Sequence, residues 1–410
     1  GVPIAMSLGL SAMGGILFLG GGSTVTIAQR MFEGMNSFAL LAIPLYTFAG
    51  FTMSKGGISK RLMDFCYSIV GHIYGGLAHV NVLSSMIFAG ISGSAVADTA
   101  GVSGMFMPEM IRKGYSKNFT VAVTAISSTI GIIIPPSIPM VVIAGICGIS
   151  TGKLFLGGII PGILCGLAQM IVSYFLAKKE GVPKEPGHFT IGPVLHGLWE
   201  SWPALLMPII IVGTITMGIV SPTEAGVIAV VYGLFAGGII YRELKWEDIK
   251  FAFAETVRTS GRIFIVIGAA KLYTVMLTTA GFDKWVAKTM LGFSTNPTVI
   301  LIMILLIFFI VTMFMESIAT LTLFMPILYP IALGVGINPI VLSVLITVVI
   351  GVGLVTPPVG MCIYVACDLM DVTVGEVFPT LVPFIAATFV CIALMVAFPQ
   401  LILLPTYLMA

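Results

Sequence analysis

The fold is decided by two stretches of this 410-residue chain: Gly131-Ile-Ile-Ile-Pro-Pro-Ser-Ile-Pro139 and, 222 residues after its start, Gly353-Leu-Val-Thr-Pro-Pro-Val-Gly360. Two prolines in tandem remove two backbone donors and cannot continue a helix. One proline kink is common in membrane helices, but a second copy of the same break makes coincidence a poor explanation. In a bilayer the carbonyl groups freed at a break need a partner, and a bound ion supplies one. The pattern predicts broken membrane helices at 119–150 and 340–370.

The two stretches belong to a longer internal repeat. At the same offset, Gly131, Pro135, Pro136, Thr151 and Pro161 recur as Gly353, Pro357, Pro358, Thr373 and Pro383. An odd number of predicted spans separates matching spans, so the halves are inverted. Inverted repeats are typical of secondary transporters, whose sites lie where broken segments meet. We predict a first repeat at 1–180, a linker with one transmembrane helix at 181–225 and a second repeat at 226–410.

Composition places the chain in a membrane. It is 58% hydrophobic and 9% charged, against about 45–50% and about 25% in soluble proteins. Runs of about 20 apolar residues predict an all-α polytopic protein, in contact with membrane lipid, with spans at 1–19, 38–54, 119–150, 154–177, 203–220, 224–241, 260–280, 340–370 and 377–403. A net charge of +2 with no basic face excludes nucleic acid as a partner. The six cysteines form no CxxC pair and are interpreted as small membrane hydrophobes.

Two further apolar segments, 77–111 and 297–333, carry small polar residues and an acid at their middle. We predict that both are re-entrant hairpins, with tips at 92–97 and 314–319. The positive-inside rule supports this assignment. With the first hairpin open to the cytoplasm, fourteen Lys and Arg residues fall near inner span ends, and only four fall outside: Arg30, Lys153, Lys284 and Lys288.

The first tip has the residue types of an ion site. A charged Asp98 in mid-bilayer costs about 2.5–3.5 kcal/mol and is therefore a functional candidate. The hydroxyls of Ser92 and Ser94 and the carbonyls freed at Ile133 and Ile134 are hard oxygen ligands suited to a small cation. The half-helix that follows favours an anionic substrate group at its N-terminus. The alternative is that these small residues only permit close helix packing.

The second half repeats both the acid-bearing hairpin and the proline break, with Glu316 and Ser317 at the hairpin and Thr356 in the break.

An intramembrane serine protease is the enzyme that the GxSG at 90–93 suggests. Such a protease needs a histidine base, and His79 is more than three helical turns away. No nucleotide motif is present, so we predict a gradient-driven transporter and no enzyme.

Three weaker signals have structural interpretations. Lys271, inside a span, is assigned to snorkelling or pairing rather than to anion binding. The stretches 24–36 and 246–260 are either interfacial bracing helices or connecting loops. Ser221-Pro-Thr-Glu-Ala225 is interpreted as an external turn before a helix capped by Thr223 or Glu224.

These residues resemble a known family, the large membrane subunit (DctM or SiaM type) of tripartite ATP-independent periplasmic (TRAP) transporters. The resemblance covers nearly the whole chain and is carried by Gly1-Val-Pro-Ile-Ala5, Phe32-Glu-Gly-Met-Asn-Ser-Phe38, Leu41-Ala-Ile-Pro44, Ser92-Gly-Ser94, Ala97-Asp98, Ile134-Pro-Pro-Ser-Ile-Pro139, Ser221-Pro-Thr-Glu-Ala225 and Thr356-Pro-Pro-Val-Gly360. It departs only at the start, where the family has a few more apolar residues, and we expect that the natural N-terminus is missing.

The resemblance implies a sodium-coupled, elevator-type transporter of the bacterial inner membrane. At least two Na+ ions are expected and no organic cofactor. One sodium site would be formed by Ser92, Gly93, Ser94, Ile134, Pro135 and Ser137, and another by Glu316, Ser317, Thr356, Pro357 and Gly360. Substrate binding or coupling would involve Asp98, Thr99, Thr320, Pro136 and Pro358.

The implied partners are a small four-helix membrane subunit (DctQ or SiaQ type) and a periplasmic substrate-binding protein (DctP or SiaP type). The implied substrate is an organic acid, sialic acid first and C4-dicarboxylates next. The alternative is a stand-alone sodium-coupled carboxylate carrier or sodium/proton antiporter of related fold, and a channel ranks third.

Overall fold

A computed structural model describes residues 2–18, 24–182 and 190–409. Residues 1 and 19, the ends of the first predicted span, and residues 183–189 of the predicted linker lie outside the described chain. The helices are α1 Ile4–Phe18, α2 Thr24–Met35, α3 Ala42–Lys55, α4 Ile58–Val70, α5 Gly76–Ser92, α6 Ala95–Arg112, α7 Lys117–Ser128, α8 Ile138–Cys147, α9 Thr151–Lys179, α10 Ile191–Thr216, α11 Pro222–Phe235, α12 Trp246–Thr279, α13 Phe282–Phe293, α14 Pro297–Thr312, α15 Ser317–Gly334, α16 Pro339–Gly353, α17 Met361–Met370, α18 Val374–Ala397 and α19 Gln400–Leu403.

The fold class prediction is confirmed: every regular element of the described residues is a helix, with no strand. Seven helical segments in the described ranges are long and apolar enough to cross a membrane: Phe38–Lys55, Thr151–Lys179, Ile191–Thr216, Pro222–Ile240, Trp246–Thr279, Ser317–Gly334 and Val374–Ala397. These segments make the chain a polytopic membrane protein, because each can bury its backbone hydrogen bonds within itself.

The two predicted hairpin segments each form a pair of helices, α5 with α6 and α14 with α15. The two proline stretches each interrupt a helix, between α7 and α8 and between α16 and α17. The second leg of the second hairpin, α15, is itself long enough to cross a membrane. Re-entry of the hairpins and the division into inverted repeats therefore stay predictions.

Residues 246–260 are helical, so the loop interpretation is wrong, while their position at the membrane interface stays a prediction. They are the first half of α12, which runs unbroken for 34 residues. The helix starts where the Asp248 carboxylate accepts a hydrogen bond from the Lys245 backbone N–H at 3.0 Å, and no proline follows to stop it. The loop interpretation of 24–36 is also wrong, because α2 is a helix packed on α12.

Two amphipathic helices were not predicted. Helix α4 lies between α3 and the first hairpin, and helix α13 lies between α12 and the second hairpin. They hold equivalent places in the two halves. Both are too short and too charged to give a span signal, so their periodicity was hidden between stronger apolar runs.

The cap of α11 also differs from the prediction. Ser221, rather than Thr223 or Glu224, is the N-cap. Its hydroxyl accepts from the Glu224 backbone N–H at 3.3 Å, and the Glu224 carboxylate accepts from the Ser221 backbone N–H at 2.6 Å. This is a reciprocal capping box, in which the serine satisfies a free donor of the first turn. The Thr223 hydroxyl instead donates to the Phe38 carbonyl at 3.1 Å.

The helices pack as two connected groups. In one group, α1, α2 and α3 pack on α12, α3 also packs on α11, and α4 packs on α10. In the other, the hairpins and broken helices exchange partners between halves: α6 and α7 pack on α17, whereas α15 packs on α8. This exchange brings both hairpin tips and both proline loops into one region of the molecule.

Candidate functional site

The first hairpin tip is held directly against the first proline loop. Helix α5 ends because Gly93 adopts a left-handed conformation with φ of +65°, which glycine accepts at little cost. Ser94 then caps α6, its hydroxyl accepting a backbone N–H. The Gly93 carbonyl accepts from the Ile138 N–H at 3.2 Å, and a Cβ on Gly93 would lie 2.7 Å from the Pro136 carbonyl oxygen. The tip and the loop therefore fit together only because residue 93 has no side chain.

Asp98 is the most buried acid of the site, with no exposed surface. Its Oδ1 accepts a hydrogen bond from the Ser92 hydroxyl. Its Oδ2 has no hydrogen-bond partner in the described part of the chain, and a Cβ added to Gly131 would overlap that oxygen. A buried carboxylate with an unsatisfied oxygen is costly, and a cation at that oxygen would offset the cost.

The first proline loop leaves the predicted carbonyls available. The Ile132 carbonyl accepts from the Ser137 hydroxyl at 2.5 Å. The next two carbonyls, those of Ile133 and Ile134, accept no hydrogen bond from any described residue, although the Ile133 oxygen is packed against α9, where a Cβ on Gly158 would overlap it. Ser137 also caps α8, accepting from the Met140 N–H at 3.3 Å. Its hydroxyl is thus used twice locally, which makes it a positioning group for the loop before it is an ion ligand.

The second proline loop follows the same scheme. The Leu354 carbonyl accepts from the Cys362 N–H at 2.9 Å, while those of Val355 and Thr356 accept no hydrogen bond within residues 190–409 or from the other described ranges. Leu354, Val355 and Thr356 stand 222 positions after Ile132, Ile133 and Ile134. The Pro135–Pro136 and Pro357–Pro358 peptide bonds are both cis, and Gly360 before α17 is left-handed with φ of +47°.

The second hairpin tip uses its acid differently. The Glu316 carboxylate caps α15, with Oε2 accepting from the Ile318 and Ala319 N–H groups at 2.9 and 3.3 Å. Its Oε1 accepts from the Ser317 hydroxyl at 2.7 Å. Glu316 is therefore satisfied by its own helix, whereas Asp98 keeps one oxygen free. The tip still meets its loop, because the Met313 carbonyl accepts from the Val359 N–H at 2.9 Å.

The predicted threonines lie on the helices that surround the tips. The hydroxyls of Thr99, Thr320 and Thr356 donate to carbonyls one turn earlier, those of Ala95, Glu316 and Val352, at 2.8, 3.1 and 2.7 Å. Each hydroxyl keeps its acceptor lone pairs for another partner.

Cys362 lies beside the second proline loop and was not singled out from the sequence. It is fully buried near the start of α17, a helix that packs on α6, and its backbone N–H donates to the Leu354 carbonyl at 2.9 Å. Its burial in the apolar core agrees with the interpretation of the cysteines as small membrane hydrophobes. Its place just after the second proline loop was the only available signal.

The remaining charged candidate lies elsewhere. Lys271 is exposed. A side chain introduced at Gly34 of α2 would meet the Cβ of Lys271, so Lys271 packs at the surface where α2 and α12 meet. No Lys or Arg side chain acts on Asp98 or Glu316 among the described residues.

The arrangement can therefore hold small cations and an anion together. No group of three or more His, Cys, Asp or Glu side chains suited to a metal occurs in the described chain, so the ligands on offer are carbonyl, hydroxyl and carboxylate oxygens. Four helices, α6, α8, α15 and α17, begin at the tips and loops. Their N-termini provide partial positive charge for an anionic group.

Comparison with known proteins gives a consistent picture. A family model described as "Tripartite ATP-independent periplasmic transporter, DctM component" matches residues 1–401. The sialic acid TRAP transporter large permease protein SiaM of Vibrio cholerae is 34% identical over 98% of this chain and 94% of its own length. The C4-dicarboxylate TRAP transporter large permease protein DctM of Pseudomonas aeruginosa is 35% identical over 98% and 94%.

The isethionate TRAP transporter permease protein DctMQ of Oleidesulfovibrio alaskensis is 37% identical over 94% of this chain, which spans only 61% of that longer protein. Among solved structures, the Alcanivorax borkumensis YdaH transporter has a TM-score of 0.62 and 13% identity, covering 90% of this chain and 86% of that one. At this identity the likeness is one of fold alone.

Proposed function

The chain belongs to the DctM family of tripartite ATP-independent periplasmic transporters, and from that membership we propose that it couples inward sodium flow to the uptake of an organic acid. As a large permease subunit it is a multi-pass inner-membrane protein and not an enzyme. Sodium, the substrate and the way the protein moves are the parts that we propose.

One observation carries the sodium proposal: each hairpin tip meets a proline loop that offers two adjacent free carbonyls. In the first loop these are the carbonyls of Ile133 and Ile134, and the free Oδ2 of Asp98 lies beside Gly131 at the start of the same loop. Unwound backbone carbonyls at the midplane are the usual Na+ ligands in transporters built from broken helices. The second site repeats the carbonyl pair beside Glu316 and Ser317.

Charge balance indicates the kind of substrate. Because Asp98 and Glu316 have no Lys or Arg partner in the described chain, the positive charge that an anion needs comes from the ions and the helix N-termini. A monoanion needs less of it than a dianion. We therefore propose sialic acid, a monoanion, as the first candidate, and place C4-dicarboxylates second. The named relatives transport acids of both kinds.

The proposed mechanism follows from the contacts. Sodium orders the tips against their loops, the carboxylate substrate binds between the tips, and the group of helices that carries both hairpins moves across the bilayer as an elevator. Two Na+ per monoanion move one net charge inward, which supplies about 2.3 kcal/mol per 100 mV. Family membership further suggests a small membrane subunit, which braces the other helix group, and a periplasmic binding protein, which delivers the substrate.

The test is uptake of labelled sialic acid into proteoliposomes that contain this chain and its small membrane subunit, with and without a sodium gradient and the binding protein. We expect uptake that needs both and is lost in Asp98→Ala and in Ser94→Ala. Uptake without sodium would refute the coupling, and uptake without the binding protein would favour a stand-alone carrier. Uptake of a dicarboxylate alone would leave the mechanism and refute the substrate.

A further inference from the structure

The equivalent amphipathic helices α4 and α13 have different surroundings. Helix α4 buries Leu62 and Cys66 and packs on α10, where a Cβ on Gly197 would lie 3.1 Å from the Cα of Phe65. Helix α10 lies between the two predicted repeats and has no counterpart in the second half. Helix α13 therefore lacks the cover that α4 receives from α10.

The uncovered face of α13 is both aromatic and basic. Trp285 is 62% exposed and Phe293 is 76% exposed, although Met290 on the same helix is buried against the protein. Lys284 and Lys288 are exposed one turn apart and form no ion pair with any described residue. The acid of this helix, Asp283, does not pair with them, and its Oδ1 is buried without a partner.

Chain connectivity places α13 at the edge of the bilayer. It begins at Phe282, three residues after α12 ends at Thr279, and it is followed by the apolar α14 from Pro297. The span predicted at 260–280 ends just before α13 begins, which puts α13 at the headgroup level on the outer side. Tryptophan with lysine on one face is typical of helices that lie in this zone.

We propose that the outer face of α13, formed by Lys284, Trp285 and Lys288, binds the headgroups of anionic phospholipids. The two lysines would contact the phosphate groups, while Trp285 enters the acyl boundary. Anionic headgroups on the outer side, where the predicted topology places Lys284 and Lys288, would supply a counter-charge to both lysines. The lipid would thereby cover the outer face of α13, as α10 covers α4.

The proposal is tested by tryptophan quenching, which does not depend on transport. In a variant with Trp199, Trp202 and Trp246 replaced by Phe, Trp285 is the only tryptophan of the chain. The protein is reconstituted with brominated phosphatidylglycerol or brominated phosphatidylcholine in otherwise identical vesicles. We expect phosphatidylglycerol to associate at Trp285 more strongly than phosphatidylcholine, by about fivefold or more for each lysine. The double substitution Lys284→Gln with Lys288→Gln should remove that preference.

Lys178→Gln with Lys179→Gln, two exposed lysines at the end of α9, is the matched control and should leave the preference unchanged. Lys284→Glu with Lys288→Glu should reverse it. Equal quenching by both lipids, or a preference that survives the α13 substitutions, would overturn the proposal. Quenching by neither lipid once the small membrane subunit is present would also overturn it, since a protein then covers this face.

Discussion

Replacing Gly93 with alanine should separate the tip from its loop. The new Cβ would lie 2.7 Å from the Pro136 carbonyl oxygen and 3.4 Å from the Ile138 N, and residue 93 would keep a left-handed φ of +65°. The backbone alone costs a non-glycine residue about 1–2 kcal/mol. The contact adds to this cost, because both partners are backbone atoms and cannot move aside as a flexible side chain can.

Gly148→Ala is the matched control. Gly148 ends α8 with φ of +67°, and a Cβ there would meet no atom within 4 Å. It therefore carries the backbone cost without the contact. The free energies of unfolding of both variants are compared in detergent by thermal or denaturant unfolding. We expect Gly148→Ala to lose about 1–2 kcal/mol and Gly93→Ala to lose more.

The same unfolding experiment with and without Na+ addresses the site. A ligand at 100 times its Kd stabilises the folded state by about 2.7 kcal/mol. We expect this sodium-dependent stabilisation in the unsubstituted protein and in Gly148→Ala, and its loss in Gly93→Ala. Equal losses of stability in the two variants would refute the rigid fit of tip and loop. Full sodium stabilisation of Gly93→Ala would refute the role of that fit in binding the ion.

Three further outcomes are expected. Asp98→Asn keeps the shape of the buried side chain but removes its charge, so sodium should bind at least about tenfold more weakly, measured as the sodium dependence of uptake; unchanged dependence would contradict the assigned role. Ser221→Ala breaks the capping box of α11 and should lower unfolding free energy by about 1 kcal/mol, measured by thermal unfolding against Thr216→Ala in the preceding helix. Arg61 and Glu243 lie 2.7 Å apart and are partly exposed, so a double-mutant cycle should give a coupling below about 1 kcal/mol, and a larger value would show that this pair is screened from solvent.

Much of the candidate site could be predicted from the sequence because its signals are local. Tandem prolines interrupt a helix wherever they stand, and an acid among apolar residues is costly in any bilayer fold. The carbonyls of Ile133 and Ile134 followed from that reasoning, and the structure leaves them without donors. The continuous α12 could not be predicted in this way, because a change from charged to apolar composition does not show whether the backbone bends.

The sequence by itself determined that this is a helical membrane protein with two acid-bearing hairpin segments and two proline breaks, since composition, spacing and proline chemistry act residue by residue. Only the tertiary structure decided how the acids are used. Asp98 keeps a free oxygen beside Gly131, whereas the carboxylate of Glu316 accepts hydrogen bonds from the first turn of its own helix. The physical reason is that these roles depend on contacts between segments far apart in the chain, where the packing of α6 on α17 sets which atoms meet.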